Sequence, residues 1–191
     1  NVIVLMYNVL FANYLNITGV SGDSYSYEVN EGENFLSYYH NIYEGEGVVT
    51  SNWEYSITGE TQDVNYIVIN GKRYFTDSSR AIGAVGKNVK YYYTTVGGKD
   101  ILITLRDEEN HIINIKADGG YTFDFALGQY TVPTEKKDLK FKLHDYDIVY
   151  NRGNLSGDDP VDFERILTPK IGKITLIDNN QDNIYDVVII E

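Results

Sequence analysis

The fold class is decided by the stretch Tyr66-Ile67-Val68-Ile69-Asn70-Gly71-Lys72-Arg73-Tyr74-Phe75. Two runs rich in β-branched and aromatic residues flank an Asn-Gly pair. Both central residues of a type I′ turn need a positive φ, which Asn and Gly adopt at little cost. The stretch therefore predicts a β-hairpin with its turn at Asn70-Gly71.

The segments that follow continue the pattern of strands and tight turns. Residues 89–94 and 101–105 are rich in Tyr, Ile and Leu, and Gly97-Gly98 lies between them, which predicts a second hairpin. After a polar turn at 107–110, residues 111–117 carry apolar side chains at every second position. Together these three segments predict an antiparallel meander.

The composition supports the same fold class. The chain of 191 residues contains 18 Tyr, 7 Phe and 17 Gly but only 3 Pro and one Met. Aromatic and β-branched side chains pack well on a pleated sheet and lose rotamer freedom in a helix. We therefore predict an all-β protein, built of small barrel or sandwich modules of antiparallel hairpins. One or two short helices are expected, at 77–86 and at 159–167, where cap residues precede a helix-compatible run.

Three regions are expected along the chain. Residues 1–41 are predicted to form N-terminal strands that pack on or link to the next region, with buried strands within 2–15. Residues 42–118 are predicted to form a β-barrel-like domain. Residues 119–191 are predicted to form a second β region that ends in an Asp-rich hairpin and either stands apart or shares one sheet with the barrel.

The N-terminal residues also bear on targeting. Residues 2–15 are apolar but too short and too interrupted by Asn to span a bilayer, and no basic segment precedes them, so neither an anchor nor a signal peptide is expected. The sequence begins with Asn, which indicates a processed form or a piece of a longer chain.

The charge balance excludes several classes of partner. Lys and Arg number 16 and Asp and Glu number 28, so the net charge at pH 7 is −12. Binding to nucleic acids or to anionic membrane surfaces depends on Lys and Arg, so no nucleic-acid partner and no membrane insertion are expected. The sequence contains no Cys, which excludes disulfides, thiolate metal sites and a thiol nucleophile.

The C-terminal region contains the most specific candidate site. Oxygen-bearing side chains stand at positions one, three, five and nine of a loop, and a backbone carbonyl stands at position seven, a spacing that suits Ca²⁺. The predicted ligands are Asp178, Asn180, Asp182, the carbonyl group of Ile184, and Asp186. Position six is Asn183 where such loops usually have Gly, and position twelve has no Glu. The alternative is a polar hairpin tip whose Asn and Asp side chains bond their own backbone.

No catalytic arrangement is predicted. The His residues lie far apart in the sequence, and no Ser stands in a nucleophile-elbow motif. The acid pairs Glu44/Glu46 and Asp145/Asp147 are interpreted as solvated strand faces, although a pair of acids in a groove would suit a polysaccharide-cleaving enzyme.

The Tyr clusters Tyr38-Tyr39 and Tyr91-Tyr92-Tyr93 suit sheet packing, a protein interface or the binding of a glycan. Trp53 is a further candidate for stacking on a sugar ring.

Several short strings resemble a known kind of β module. Their order is similar to a pattern of the form IDGxxY, GxxVxxYY and IxA. The matching strings lie at 66–74, 85–93, 112–117, 148–151, 172–178 and 185–188. The pattern resembles modules of Gram-positive surface-layer-type proteins and of large structural proteins of tailed-phage virions, over roughly residues 42–191. The resemblance implies a non-catalytic module with an architectural role.

The functional hypothesis follows from these features. We expect a structural module of a virion or of a bacterial cell-surface assembly, in contact with other copies or with other structural proteins, and so located in a virion or at the cell surface. Between the two, a phage particle is preferred. The alternative is a carbohydrate-binding or adhesion module of an extracellular protein.

Overall fold

The protein is all-β, with three sheets and three short helices among the residues that the computed structural model describes, 2–77, 81–150, 153–154 and 160–191. The N-terminal arm, defined here as residues 2–40, comprises α1 (Val2–Phe11), β1 (Asn13–Ser21), β2 (Ser24–Asn34) and α2 (Phe35–His40). The strands β1 and β2 pair only with each other, so the arm has a two-stranded sheet of its own.

The predicted buried strands within 2–15 are wrong. Residues 2–11 form an α-helix in which no residue is buried, and β1 starts only at Asn13. An apolar run of this length fits a helix or a strand equally well by periodicity alone. Leu5, Met6 and Leu10 favour the helix, because their unbranched Cβ loses little rotamer freedom there.

A closed five-stranded barrel follows the arm. Its strands are β3 (Ile42–Ser51), β4 (Tyr66–Ile69), β5 (Lys72–Phe75), β6 (Asn88–Val96) and β7 (Lys99–Asp107), and they close in the order β3-β4-β5-β7-β6. All pairs are antiparallel except β5 with β7. The order is therefore not a simple meander, because β7 lies between β5 and β6.

Both predicted hairpins are confirmed. In the first, Ile69 pairs with Lys72, and Asn70 and Gly71 have φ of +48° and +77°. In the second, Val96 pairs with Lys99 across two glycines that also have positive φ. Two-residue loops with positive φ match the twist of the strands that they join.

The helix predicted at 77–86 falls partly on residues 78–80, which lie outside the described residues. The described remainder, 81–86, forms turns. Ala81, Ala84 and Val85 are buried there and belong to the apolar core of the barrel.

The remaining strands form the second sheet, and one helix packs against it. Its elements are β8 (His111–Lys116), β9 (Thr122–Asp124), β10 (Gln129–Val132), β11 (Leu139–Tyr150), β12 (Gly153–Asn154), α3 (Pro160–Leu167), β13 (Lys173–Asp178) and β14 (Ile184–Ile190). The strand order is β8-β13-β14-β11-β10-β9, with β12 paired to β11. The helix predicted at 159–167 is confirmed as α3, while its proposed cap, Asp159, lies outside the described residues.

The predicted meander is wrong in its third strand. β8 leaves the barrel and pairs with β13 in the second sheet. The turn before β8 is held by Asn110, whose side chain accepts a hydrogen bond from the backbone N–H of Asn88 and donates one to its carbonyl, both of 2.8 Å. This anchor directs β8 away from β7, so the barrel strands end at Asp107.

The second sheet packs between two apolar cores. Val149, Ile177 and Val187 belong to the core that fills the barrel. The other core contains Ile174, Leu176 and Val188, together with Ile166 and Leu167 of α3. The barrel and the second sheet therefore share buried apolar surface, whereas the arm contributes no residue to either core.

Candidate functional site

The β1–β2 hairpin of the arm has two faces of opposite character. The apolar hairpin face is formed by the directly opposed pairs Leu15/Val29, Ile17/Tyr27 and Val20/Tyr25. All six side chains are exposed, with exposed fractions between 51% and 65%. Single exposed apolar residues are common on proteins, whereas a contiguous apolar surface of this kind usually marks an interaction site.

A β-bulge keeps this face continuous. On β1, Ile17 and Val20 are three residues apart and would lie on opposite faces of a regular strand. The pairing register shifts between Ile17 and Gly19, so that one extra residue of β1 is inserted. The bulge brings Val20 back into phase opposite Tyr25.

The opposite face of the hairpin is polar and is the face that α2 contacts. It contains the pairs Tyr14/Asn30, Asn16/Glu28 and Ser21/Ser24. The ring of Tyr14 stacks on Tyr38 of α2 with 4.4 Å between centroids, and its hydroxyl group lies 3.0 Å from that of Tyr39. Since α2 lies on this side, the apolar hairpin face is left uncovered.

Helix α1 adds a second apolar surface to the arm. It carries no charged residue, and the side chains of its first five residues are all more than half exposed. Its last turn approaches the barrel, where Phe11 lies 5.8 Å from the ring of Tyr92. Within the described residues, no helix has both the length and the apolar character needed to cross a membrane.

The Asp-rich hairpin joins β13 to β14 in the second sheet. Asp178 is fully buried, and its two carboxylate oxygens accept hydrogen bonds from the backbone N–H groups of Asn180, Gln181 and Asn183 at 2.6 to 3.3 Å. Its carboxylate therefore organises the turn from within.

The other predicted ligands also bond the loop backbone. Asn180 Oδ1 accepts from the N–H of Asp182, Asp182 Oδ1 accepts from that of Ile184, and Asp186 Oδ2 accepts from that of Asn179. Asn183 has φ of +66°, the left-handed conformation for which Gly is usual.

The hydrogen bonds of this loop are therefore those expected of a polar hairpin tip, whose Asn and Asp side chains bond their own backbone. Over the described ranges, no three His, Cys, Asp or Glu residues are grouped so that they could hold a metal ion. A calcium ion here stays a prediction.

The carboxylates of Asp178 and Asp182 nevertheless act electrostatically on Asp186. Burial raises the pKa of Asp186 above its ordinary value, and the charges of Asp178 and Asp182 raise it further, against a lowering by the N–H of Asn179. The charges of Asp178 and Asp182 thus act on Asp186, and a bound cation would relieve that repulsion.

The predicted Tyr clusters separate into buried and exposed rings. Tyr91 points into the barrel, where its hydroxyl group lies 2.9 Å from that of Tyr74, while Tyr92 on the outside donates a hydrogen bond of 2.8 Å to Glu44. Tyr38 and Tyr39 are more than half exposed. Trp53 is partly buried and packs against the core of the barrel.

The acid pair Glu44/Glu46 is engaged in bonds on the outer surface of the barrel. Glu44 forms an ion pair with Lys90, and Glu46 accepts a hydrogen bond of 3.2 Å from Asn88.

Sequence reasoning missed the apolar hairpin face. The signal was present in Tyr25, Tyr27 and Val29, which alternate with Ser26 and Glu28. On β1 the bulge breaks that alternation, and Gly19 beside it, an isolated glycine within a strand, is the signal that could have located it.

Comparison with protein-family models, with curated proteins and with solved structures finds no match for this chain.

Proposed function

We propose that this chain is a non-catalytic structural module of a virion of the tailed-phage kind or of a bacterial cell-surface assembly, where it holds neighbouring subunits together. The observation that carries the proposal is the apolar hairpin face, which the described residues of the chain leave exposed. An isolated two-stranded hairpin is at best marginally stable in water, so this arm gains stability once a partner covers it.

The arrangement of the molecule supports the same role. The barrel and the second sheet have cores of their own, whereas the arm extends from the barrel by way of α2 and has none. The acids of Glu44/Glu46 and of the Asp-rich hairpin are used in hydrogen bonds and ion pairs that hold strands and turns.

The proposal is tested on particles and cell envelopes purified from the source. An antibody against the barrel should detect the chain in one of these preparations at a fixed ratio to its main structural protein. Lysine-directed cross-linking of the intact preparation should then join the chain to that protein. Recovery of the chain only in the soluble fraction, without cross-links, would contradict the proposal.

A carbohydrate-binding module is the second candidate. It is favoured by the exposed rings of Tyr38 and Tyr39, which stack with Tyr14 into one aromatic cluster. Binding on a glycan array that is lost in Tyr38→Ala and kept in Phe125→Ala, which changes an exposed ring in the turn after β9, would support this candidate. Absence of binding across the array would remove it.

A further inference from the structure

We propose that the apolar hairpin face binds the same face of a second copy of this chain, so that two hairpins form a small two-fold sandwich. The inference rests on the proposed function and names the partner that the arm contacts. It is carried by the placement of charge and by the geometry of the face, and the area of the face limits the dimer to a weak one.

The placement of charge allows two acidic molecules to meet at this face. The six residues that form the face are uncharged. Glu28 points to the opposite face beside Asn16, and Asp23 lies in the turn. Glu33 is bonded to Asn30 of the polar face at 2.8 Å. Glu31 follows Val29 at the same alternation, so it lies at the edge of the face. In a chain with a net charge of −12, a second copy can still meet the centre of the face, at Ile17 and Tyr27, without opposing carboxylates.

The composition of the surroundings argues against a lipid surface. Residues 1–71 contain no Lys and no Arg. Elements that lie in a membrane interface usually have cationic side chains beside the apolar ones, because these contact the headgroups. The arm contains Asp and Glu but neither Lys nor Arg.

The geometry of the face is self-complementary. The face has two parallel rows of three side chains, one row from β1 and one from β2. The two strands run antiparallel, so the rows have opposite chain directions. A two-fold axis through the centre of the face, near Ile17 and Tyr27, places each row against its counterpart in the other copy. The sheets would then be about 10 Å apart, as in β-sandwiches.

The area of the hairpin face corresponds to a weak dimer. At the areas typical of these side chains, the apolar hairpin face offers roughly 400 Å² per copy. Two such faces bury roughly 800 Å², less than the roughly 1,200 Å² at which stable interfaces begin. Helix α1 contacts α2, which lies on the polar side of the hairpin, so α1 adds no area to this face and the expected dimer is a weak one.

The first experiment measures the mass of the full chain in solution by sedimentation equilibrium over a wide range of concentrations. The wild-type chain should be a dimer. The double variant Ile17→Asp/Tyr27→Asp places a charge pair at the centre of the face and should raise the dissociation constant about 100-fold or more. The matched control, Asn16→Asp/Ser26→Asp, adds the same charge to the polar face and should remain a dimer.

The second experiment locates the contact without a disruptive substitution. Because the sequence has no Cys, a single Cys can be introduced at will. Ile17→Cys should be joined to Ile17→Cys of the second copy by a bismaleimide with a spacer of about 10 Å. Asn16→Cys, one residue along and on the polar face, should remain uncross-linked.

A wild-type monomer at every concentration would overturn the proposal, as would a dimer that the double variant leaves intact. Binding of the monomer to phosphatidylcholine vesicles through Ile17 would also overturn it, in favour of lipid. If the chain is monomeric yet present at a fixed ratio in particles, only this inference fails. If it dimerises but is absent from particles and envelopes, the proposed function fails instead.

Discussion

The hydroxyl group of Tyr55 donates a hydrogen bond of 2.7 Å to Oε1 of Glu191 and so joins the loop after β3 to the residue that follows β14. The other carboxylate oxygen of Glu191 lies 2.5 Å from Nζ of Lys173. Backbone hydrogen bonds between Lys173 and Glu191 hold the carboxylate in place. One side chain therefore connects the barrel with the second sheet.

This connection predicts a pH-dependent contribution to stability. The hydrogen bond from Lys173, and then that from Tyr55, lower the pKa of Glu191 below its ordinary value. A lowered folded-state pKa means that the contribution is complete above the ordinary pKa of Glu and is lost as the pH falls through the lowered value.

The variant Glu191→Gln should therefore lower the melting temperature at pH 7 and match the wild type at strongly acidic pH. Because the group is partly exposed, we expect a loss of at most about 1 kcal/mol, or about 2–4 °C. Thermal unfolding followed by circular dichroism between pH 7 and pH 2 measures it. The control is Glu60→Gln, which changes an exposed acid and should have the melting temperature of the wild type at both ends of this pH range. If Glu191→Gln lowers the melting temperature by the same amount at every pH, the stabilising role of the Glu191 carboxylate is contradicted.

The hydroxyl pair of Tyr74 and Tyr91 predicts strong coupling inside the barrel. Both side chains are buried, their oxygens are 2.9 Å apart, and burial raises the pKa of Tyr74 far above its ordinary value. Either single change to Phe leaves one buried hydroxyl without its partner and should cost about 1–3 kcal/mol.

The double variant Tyr74→Phe/Tyr91→Phe should cost less than the sum of the single variants, because it removes both polar groups together. Urea unfolding monitored through the fluorescence of Trp53, which packs on this core, gives the free energies. Additive single effects would show that the two hydroxyl groups do not interact.

Asn70 is predicted to stabilise the barrel through its side chain as well as through its turn. Its Oδ1 accepts a hydrogen bond of 2.9 Å from the N–H of Val48, and its Nδ2 donates one of 3.3 Å to the carbonyl of Glu46. The variant Asn70→Gly keeps the positive φ and removes both bonds, so we expect a loss of about 1–2 kcal/mol in urea unfolding.

Asn183→Gly is the matched control, since Asn183 also has a positive φ in a hairpin turn. With metal removed, it should change the unfolding free energy by about 0.5 kcal/mol or less. Equal effects of the two variants would mean that the side chain of Asn70 contributes nothing beyond its backbone conformation.

The Asp-rich hairpin gives a direct test of calcium binding. If Asp178, Asp182 and Asp186 are ligands, Ca²⁺ at about five times its dissociation constant should stabilise the chain by about 1 kcal/mol relative to chelator. Asp182→Asn keeps the acceptor for the N–H of Ile184, at 2.7 Å in the native loop, but removes a charge, and it should abolish most of this difference.

Asp118→Asn, which removes an exposed acid in the turn after β8, should retain the calcium response. Melting temperatures that are the same with chelator and with millimolar Ca²⁺ would leave the hairpin as a purely structural turn.

The N-terminal region shows where sequence patterns lose their power. Buried strands are predicted within residues 2–15, but residues 2–11 form a helix, because an apolar segment without polar alternation carries no period to distinguish the two. The apolar hairpin face was missed, because its bulge shifts the phase of β1 by one residue. β8 was assigned to the barrel, because its partner β13 lies some sixty residues away in the sequence.

The sequence alone determined the local features: the all-β class, the two-residue turns at Asn70-Gly71 and Gly97-Gly98, and the helix that begins at Pro160. Each depends on the conformational preference of a few neighbouring residues. The tertiary structure decided which strands close the barrel, where the carboxylate of Glu191 acts and which face of the hairpin stays bare. Those outcomes depend on contacts between residues far apart in the chain, whose free energies no local pattern records.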